Sequence, residues 1–489
     1  MRVRRETSLL FTTSDTFNGW DVSKVWEREH MRWVARSQLD RYADYTFPRL
    51  EESVYSKEFQ YRPPFRPTIC QELFWSYDGT SLLAVFNDTG IRQYLIPETN
   101  PNYDLDDTKR KDLNKPCLNS HTAMNELVPF RRFFKNKSIV SCEVHPRYSP
   151  YNVNPDENSI LISSRDLPLQ LYSLNLAEEE GTKGNHWVSR PFFSYDTVNE
   201  HNEQLLTPFS VQYLNSREFL TGSSRNTVRL YDRTRKQPLW TLSSTKAECG
   251  SSSTNKNIVS CFSELPSGKK RDLITNTPRY KLCGTYKGEV YLIDTRGTRA
   301  SFSCIYRCRT RGPPGGGIYQ LLESENEHYI YCVQRKSKVI DILDVRMGFK
   351  KINILGLPFT ISQQKFKASI SEYYGLTIGT PDGRLLTWSR DIVEFGGLDR
   401  NTGNDVKYSR PLPPDMEHTV KSVYPHNTER ESKEEKGRQC RELRVNIVSY
   451  NPSDLGCVAI SYSPDKRKGH ELTEGNLVSH SGVSAHTLE

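Results

Sequence analysis

No stretch of this sequence stays apolar long enough to cross a bilayer as a helix. The basic opening, MRVRRETSLLFTTSD, holds only a short apolar run, well below the hydrophobic region of a secretory leader. Cysteines are odd in number, 11 scattered from Cys70 to Cys457, which argues against a disulfide framework. The expectation is a soluble chain of a reducing, intracellular compartment with no membrane partner. Charge of one sign is not in great excess either. The 67 basic and 59 acidic residues leave +8, which permits an anionic partner without requiring one. Hydrophobic residues make up only 35% of the 489, so much of the chain must be exposed loop.

Signatures of catalysis are missing as well. There is no GxSxG elbow, HExxH, Walker loop or CxxC pair. Cys304 and Cys308 stand four apart in a segment that reads as strand, with Cys283 and Cys332 elsewhere and no histidine cluster at ligand spacing; buried apolar fill is the plainer reading than zinc. The GPPGGG at Gly312 to Gly317 lacks a following helix and a lysine, and reads as a turn rather than a phosphate cradle. Asp104, Asp106 and Asp107 fall in a polar insertion and read as solvated charge, while Glu72 and Glu143 are isolated acids on expected strands. We therefore expect no catalytic, cofactor or metal site, no small-molecule substrate, and no enzyme.

What the chain does have is a repeat. SSRNTVRLYDR (Ser223 to Arg233) returns in worn form at Phe86 to Glu98, Ser163 to Asn175, Cys283 to Thr295, Cys332 to Val345 and Ile378 to Asp391. Each copy is a strand, a polar turn and a second strand. The turns use residues that tolerate positive φ, such as Arg225-Asn226, Lys287-Gly288 and Asp382-Gly383, and period-2 alternation follows them. A further apolar strand is expected upstream of each hairpin, at Glu72 to Trp75, Ile139 to Val144, Phe209 to Tyr213, Ile258 to Phe262, Ile318 to Leu322 and Thr360 to Phe366. Three or four strands per unit, repeated in tandem, predict a β-propeller, because a lone four-stranded blade cannot cover both its faces and a closed ring shelters its edges. Six copies are clear. Arg444 to Ser463 supplies the inner strands of a seventh, with Phe59 to Arg66 as a candidate for its missing strand; six blades is the alternative.

The expected organisation is an N-terminal extension over 1–60, helical or in part disordered, a propeller over 61–464, and a flexible tail over 465–489. Asp21 to Tyr42 has helical spacing of Val22, Val25, Trp26 and Trp33. Polar insertions are expected at Pro97 to His121, Ala177 to Leu205, Ser243 to Asn257 and Asp399 to Arg441. Two stretches mix cations with aromatics or concentrate arginine. Phe130, Arg131, Arg132, Phe133, Phe134, Lys135 and Lys137 combine groups that neutralise phosphates with groups that stack bases; Arg307, Arg309 and Arg311 alternate along an expected strand. RNA contact is the sharper reading of both, and phenylalanines filling an inter-blade gap with the cations facing water the plainer one.

CQELFWSYDGTSLLAVFNDTGIRQYLIPE (Cys70 to Glu98), RFFKNKSIVSC (Arg132 to Cys142), TGSSRNTVRLYDRTRKQPLW (Thr221 to Trp240) and IGTPDGRLLTWSRDIVEFGG (Ile378 to Gly397) resemble the budding-yeast nuclear WD-repeat proteins known as "synthetic with trimethylguanosine synthase". More distantly, Trp75, Asp78-Gly79 and Ile91 to Tyr94 are similar to the first blade of the telomerase Cajal body WD-repeat protein. The first resemblance implies an all-β WD-repeat propeller in the nucleus. It also implies noncatalytic association with small nuclear RNPs and support of pre-mRNA splicing where the U1 particle engages the 5′ splice site. The second implies, as an alternative, direct binding of a small RNA of the Cajal-body or telomerase type.

Overall fold

The polar turns picked out in the sequence close hairpins. Arg225 and Asn226 sit at φ of 61° and 52°, and Thr89 and Asp166 at 66° and 59°, the left-handed backbone that tight hairpin turns demand. The computed structural model describes residues 3–13, 69–96, 127–175, 191–199, 203–243, 257–269, 280–294, 301–308, 316–361, 366–397, 411–420, 444–463 and 482–488, a few single positions within them apart. Nearly all form antiparallel strands in groups of four, ordered outward from a common axis.

Blade 1 runs from Cys70–Trp75, its innermost strand, to Arg131–Phe134, its outermost, and blade 2 from Ile139–Val144 to Phe193–Tyr195. Blade 3 spans Ser210–Tyr213 to Trp240–Ser243, blade 4 Val259–Glu264 to Ser301–Arg307, and blade 5 Ile318–Glu323 to Lys350–Gly356. Blade 6 spans Ser369–Ser371 to Met416–Thr419. Blade 7 takes Arg444–Tyr450, Cys457–Ser463 and Gly482–Leu488 from one end of the chain and Val3–Thr12 from the other. Val3–Thr12 pairs antiparallel with Gly482–Leu488, Thr7 opposite Leu488 and Thr12 opposite Ser484, and its first residues also lie parallel to Met416–Thr419 of blade 6.

Closure of the ring is visible in its core. Each interface between adjacent blades holds its own buried cluster: Phe74, Leu83 and Val85 with Ile160, Ile162 and Tyr172 between blades 1 and 2, and so on round to Phe11, Val483 and Ala485 with Leu73, Leu82 and Ala84 between blades 7 and 1. Strands such as Ser81–Phe86 and Ser159–Ser164 are buried at every residue because a neighbouring blade covers each of their faces. The innermost strands of blades 1, 2, 4, 5 and 7 share a register break near their starts, between Cys70 and Glu72, Ile139 and Ser141, Val259 and Cys261, Ile318 and Gln320, and Val445 and Ile447. Such bulges add local twist and re-aim side chains, here around the axis.

The structure corrects several expectations. The closing strand of blade 7 is Val3–Thr12, while Phe59 to Arg66 and the Asp21 to Tyr42 segment lie outside the described residues. The propeller therefore begins within the expected N-terminal extension and ends within the expected tail, at Gly482–Leu488. Phe193–Tyr195 and Met416–Thr419 are outermost strands inside stretches read as insertions. These two outermost strands run only three and four residues, and an outermost strand needs apolar residues on one side only, so low hydrophobicity hides them. In blade 6 the innermost strand is Ser369–Ser371, not Thr360 to Phe366; Ile361 and Phe366 instead bury themselves between blades 5 and 6 from the connecting chain.

Candidate functional site

The innermost strands enclose a cavity of about 150 Å³ on the ring axis, to which all seven blades contribute. Lys367, one residue after Phe366, is held there by backbone bonds: its N–H donates to Asn446 O at 2.8 Å and its carbonyl accepts from Val448 N at 3.1 Å. Its Nζ lies 2.5 Å from Glu72 Oε2 of blade 1 and 3.6 Å from Glu264 Oε1 of blade 4. Gln320 ties the cluster to the wall, donating to Glu264 Oε2 at 3.2 Å and Ala368 O at 2.8 Å while accepting from Ala368 N at 2.9 Å. Burial by itself would lower the pKa of Lys367, but Glu72, Glu264 and Glu143 outweigh it and the net shift is upward. A lysine so held is an ammonium at neutral pH, so it offers neither a general base nor a nucleophilic amine. The channel reads as a cross-brace between blades.

Sequence reasoning saw Glu72 and Glu143 as isolated and did not single out Glu264 or Lys367. Lys367 precedes its strand and lies 295 residues from Glu72, so no local pattern could join them. The cysteines meet the expectation of apolar fill: Cys261, Cys308 and Cys332 pack together between blades 4 and 5, Cys283 and Cys304 between blades 3 and 4, and burial pushes the thiols of Cys283, Cys308 and Cys332 upward. Among the described residues no group of three or more His, Cys, Asp or Glu is placed to hold a metal ion.

The two cation-bearing stretches fare differently. Arg131, Arg132, Phe133 and Phe134 form the outermost strand of blade 1, with Arg132 opposite Arg92 and Phe134 opposite Gly90. Lys135 is not free for a ligand: its ammonium stands 4.0 Å from the centre of the Tyr172 ring of blade 2 and donates to the Tyr172 hydroxyl. Burial lowers the Lys135 pKa to about 8. Lys137 is exposed, and Phe130 lies outside the described residues. Arg307 is exposed at the last position of its strand and pairs with Glu289 at 3.5 Å. The strand Ser301–Arg307 ends at Arg307, and Arg309 and Arg311 lie outside the described residues.

A third cluster comes from the fold alone. In blades 3, 4 and 5 the turns between the second and third strands open on the same side of the ring, which we call the upper face. In that order they are SSRN (223–226), YKG (286–288) and RKSK (335–338), with no acid among them. Arg225, Tyr286, Lys287, Lys336 and Lys338 are exposed, and the Arg335 guanidinium lies 4.5 Å from the centre of the Tyr286 ring and donates to its hydroxyl. The turns are laced together. Asn226 N donates to Asn257 O at 3.2 Å, Lys287 N to Asn257 Oδ1 at 3.2 Å, and Arg335 N to Gly317 O at 3.0 Å. Glu289, which opens the third strand of blade 4, is engaged by Asn257 at 2.9 Å, Tyr291 at 3.0 Å and Arg307.

Seven four-stranded blades around one axial cavity define a WD-repeat β-propeller. Curated relatives named Protein SWT21 are 37% identical over 454 residues in Zygosaccharomyces rouxii, covering 93% of this chain and 92% of the relative, and 38% identical over 459 residues in Kluyveromyces lactis, covering 93% and 94%. In Saccharomyces cerevisiae the identity is 38% over 357 residues, 72% of this chain and 88% of the relative. The chain belongs to the SWT21 family, as its resemblance to the budding-yeast proteins led one to expect. No family model matches it. Among solved structures, the C-terminal WD40 domain of Sif2 is similar at 10% identity and a TM-score of 0.44, covering 86% of this chain and 82% of that one.

Proposed function

We propose that the chain is a noncatalytic nuclear scaffold that associates with small nuclear RNPs and supports pre-mRNA splicing by stabilising U1 engagement at the 5′ splice site. Membership in the SWT21 family supports the reading. The observation that carries it is the division of charge: the axial lysine is consumed by carboxylates inside the ring, while the upper face of blades 3 to 5 presents cations to solvent. A rigid ring whose axial lysine is held by carboxylates and whose upper face is basic suits a platform for an anionic particle. RNA sequencing of a native pulldown of the tagged protein, before and after a high-salt wash, tests this. Spliceosomal small nuclear RNAs recovered with their proteins and lost in salt are the expected result. Absence of such RNAs at low salt would overturn the proposal.

The second reading, a propeller that binds a small RNA directly, draws its support from one contact, the exposed Tyr286 ring under Arg335. Retention of a single RNA without RNP proteins would favour it.

A further inference from the structure

We propose that the upper face of blades 3 to 5 is a binding site for single-stranded nucleic acid, in which Tyr286 stacks a base and Arg225, Lys287, Lys336 and Lys338 receive phosphates. This deepens the proposed function by naming a ligand class and a site, and it rests on that reading only for which RNA is met in the cell.

Tyr286 is one of three strongly exposed aromatics among the described residues, with Phe192 at 52% and Tyr373 at 61%, and of the three it is the one set among the cationic turns of blades 3 to 5. Tyr172, Tyr195, Tyr213, Tyr231, Tyr291 and Tyr331 are buried to 1% exposure or less, serving the inter-blade cores, whereas Tyr286 keeps 40% of its surface in water. It is nonetheless held. Its N–H donates to Ile258 O at 2.9 Å, the Arg335 guanidinium covers its ring, and Gly317 runs so close that a Cβ there would stand 2.8 Å from the Tyr286 carbonyl oxygen. An aromatic ring fixed at the surface loses little freedom when a base stacks on it, and the arginine brings a fixed positive charge to the same spot. Around it the three laced turns carry exposed cations and no acid of their own, and the neighbouring Glu289 is engaged by Asn257, Tyr291 and Arg307, so the turns favour a phosphate chain.

The chemistry selects among anions. An acidic peptide would satisfy the cations, but the carboxylates that do so offer no aromatic face to stack on the exposed ring. A duplex presents phosphates but keeps its base faces stacked inside. An unpaired strand offers both, alternating. This face is also distinct from Lys135, which is spent on Tyr172, and from Arg307, which is paired with Glu289.

The test uses the purified full-length protein and a fluorescein-labelled oligouridylate of about ten nucleotides, within the span that single-strand sites cover. Fluorescence anisotropy is read at several salt concentrations. Wild-type protein should bind, with affinity falling as salt rises. Lys287→Glu, Lys336→Glu and Lys338→Glu combined should weaken binding at least tenfold and make the slope of log affinity against log salt shallower by about two, since each lost phosphate contact removes about 0.7 from it. Tyr286→Ala should weaken binding by about tenfold and leave that slope unchanged. All four positions are exposed, so the melting temperature should hold, which separates lost binding from lost fold. A DNA strand of matching sequence as competitor tells whether the 2′-hydroxyl is read.

Failure of wild-type protein to bind, or unchanged binding by the triple variant, would overturn the inference. So would a Tyr286→Ala protein that binds as wild type while polyglutamate displaces the oligonucleotide, since the face would then fit an acidic protein. Small nuclear RNAs recovered in a pulldown of the triple variant would leave the RNP proposal standing whichever way the oligonucleotide experiment falls.

Discussion

His145 shows how much a single buried side chain can say about this ring. Its Nε2 lies 3.0 Å from Ser216 O, and its Nδ1 lies 3.2 Å from Arg147 N. A carbonyl can only accept and an amide N–H can only donate, so the imidazole is neutral, with its proton on Nε2. Adding a second proton would aim an N–H at an N–H. Burial lowers the pKa to about 4, with Arg233 and Arg147 pushing the same way against the Ser216 bond and Glu157. In the unfolded chain the group titrates near 6.5, so its contribution is fully present above that pH and drains away as pH falls toward 4. The shift from 6.5 to about 4 corresponds to roughly 3 kcal/mol at its limit. Urea midpoints at pH 7 and pH 5 should therefore differ for wild-type protein. His145→Phe, which keeps an aromatic ring against Tyr213 but loses the bridge from blade 2 to blade 3, should be weaker at pH 7 and change less with pH. An equal pH response in both would show that His145 is not the titrating group. The sequence could list this histidine; only the approach of Ser216, 71 residues away, settles its state.

Among the elements, the strand Val3–Thr12 has the largest consequence. It covers the edge of Gly482–Leu488, and Phe11 joins the cluster between blades 7 and 1. Phe11→Ala alone should cost about 3–5 kcal/mol, the usual range for a buried phenylalanine. Removal of the first 13 residues should cost more, because it also bares a strand edge, and limited proteolysis should then cut near Gly482–Leu488 first. A truncated protein with the wild-type urea midpoint would contradict this closure. A second element-level device is a close approach. At the end of the second strand of blade 6, Gly379 lies against the innermost strand of blade 7, and a Cβ there would stand 2.3 Å from Val445 O. Gly379→Ala should destabilise by about 1–3 kcal/mol through forced separation of the blades. Gly456→Ala, where a Cβ would meet only Asp454 Oδ1 at 3.5 Å, should cost far less. The hairpin strands themselves were plain from alternation and turn residues such as Arg225-Asn226. The outermost strands were not, because Phe193–Tyr195 and Met416–Thr419 sit in polar surroundings and carry a weak pattern.

For the whole molecule, the proposed function makes a quantitative demand on splicing. A scaffold that adds a coupling of about 1–3 kcal/mol to U1 binding changes occupancy most where base pairing is weak. Deletion should thus slow splicing of introns with nonconsensus 5′ sites more than that of consensus introns, as read by reporter pairs differing only at that site; equal loss in both would argue against the U1 step. The sequence by itself determined the β-propeller class, six of the seven units and the family, because hairpin chemistry is local: alternation every second residue and a turn residue at positive φ are written within a dozen positions. It also carried every cation of the upper face, but as scattered letters. Tertiary structure alone decided that Val3–Thr12 completes the last blade, that Lys367 meets Glu72 and Glu264, and that Arg225, Lys287, Lys336 and Lys338 share one side of the ring with Tyr286. Those relations depend on closure, which brings together residues hundreds of positions apart at a chain-entropy cost that grows only slowly with their separation, and so leaves no mark on any local stretch.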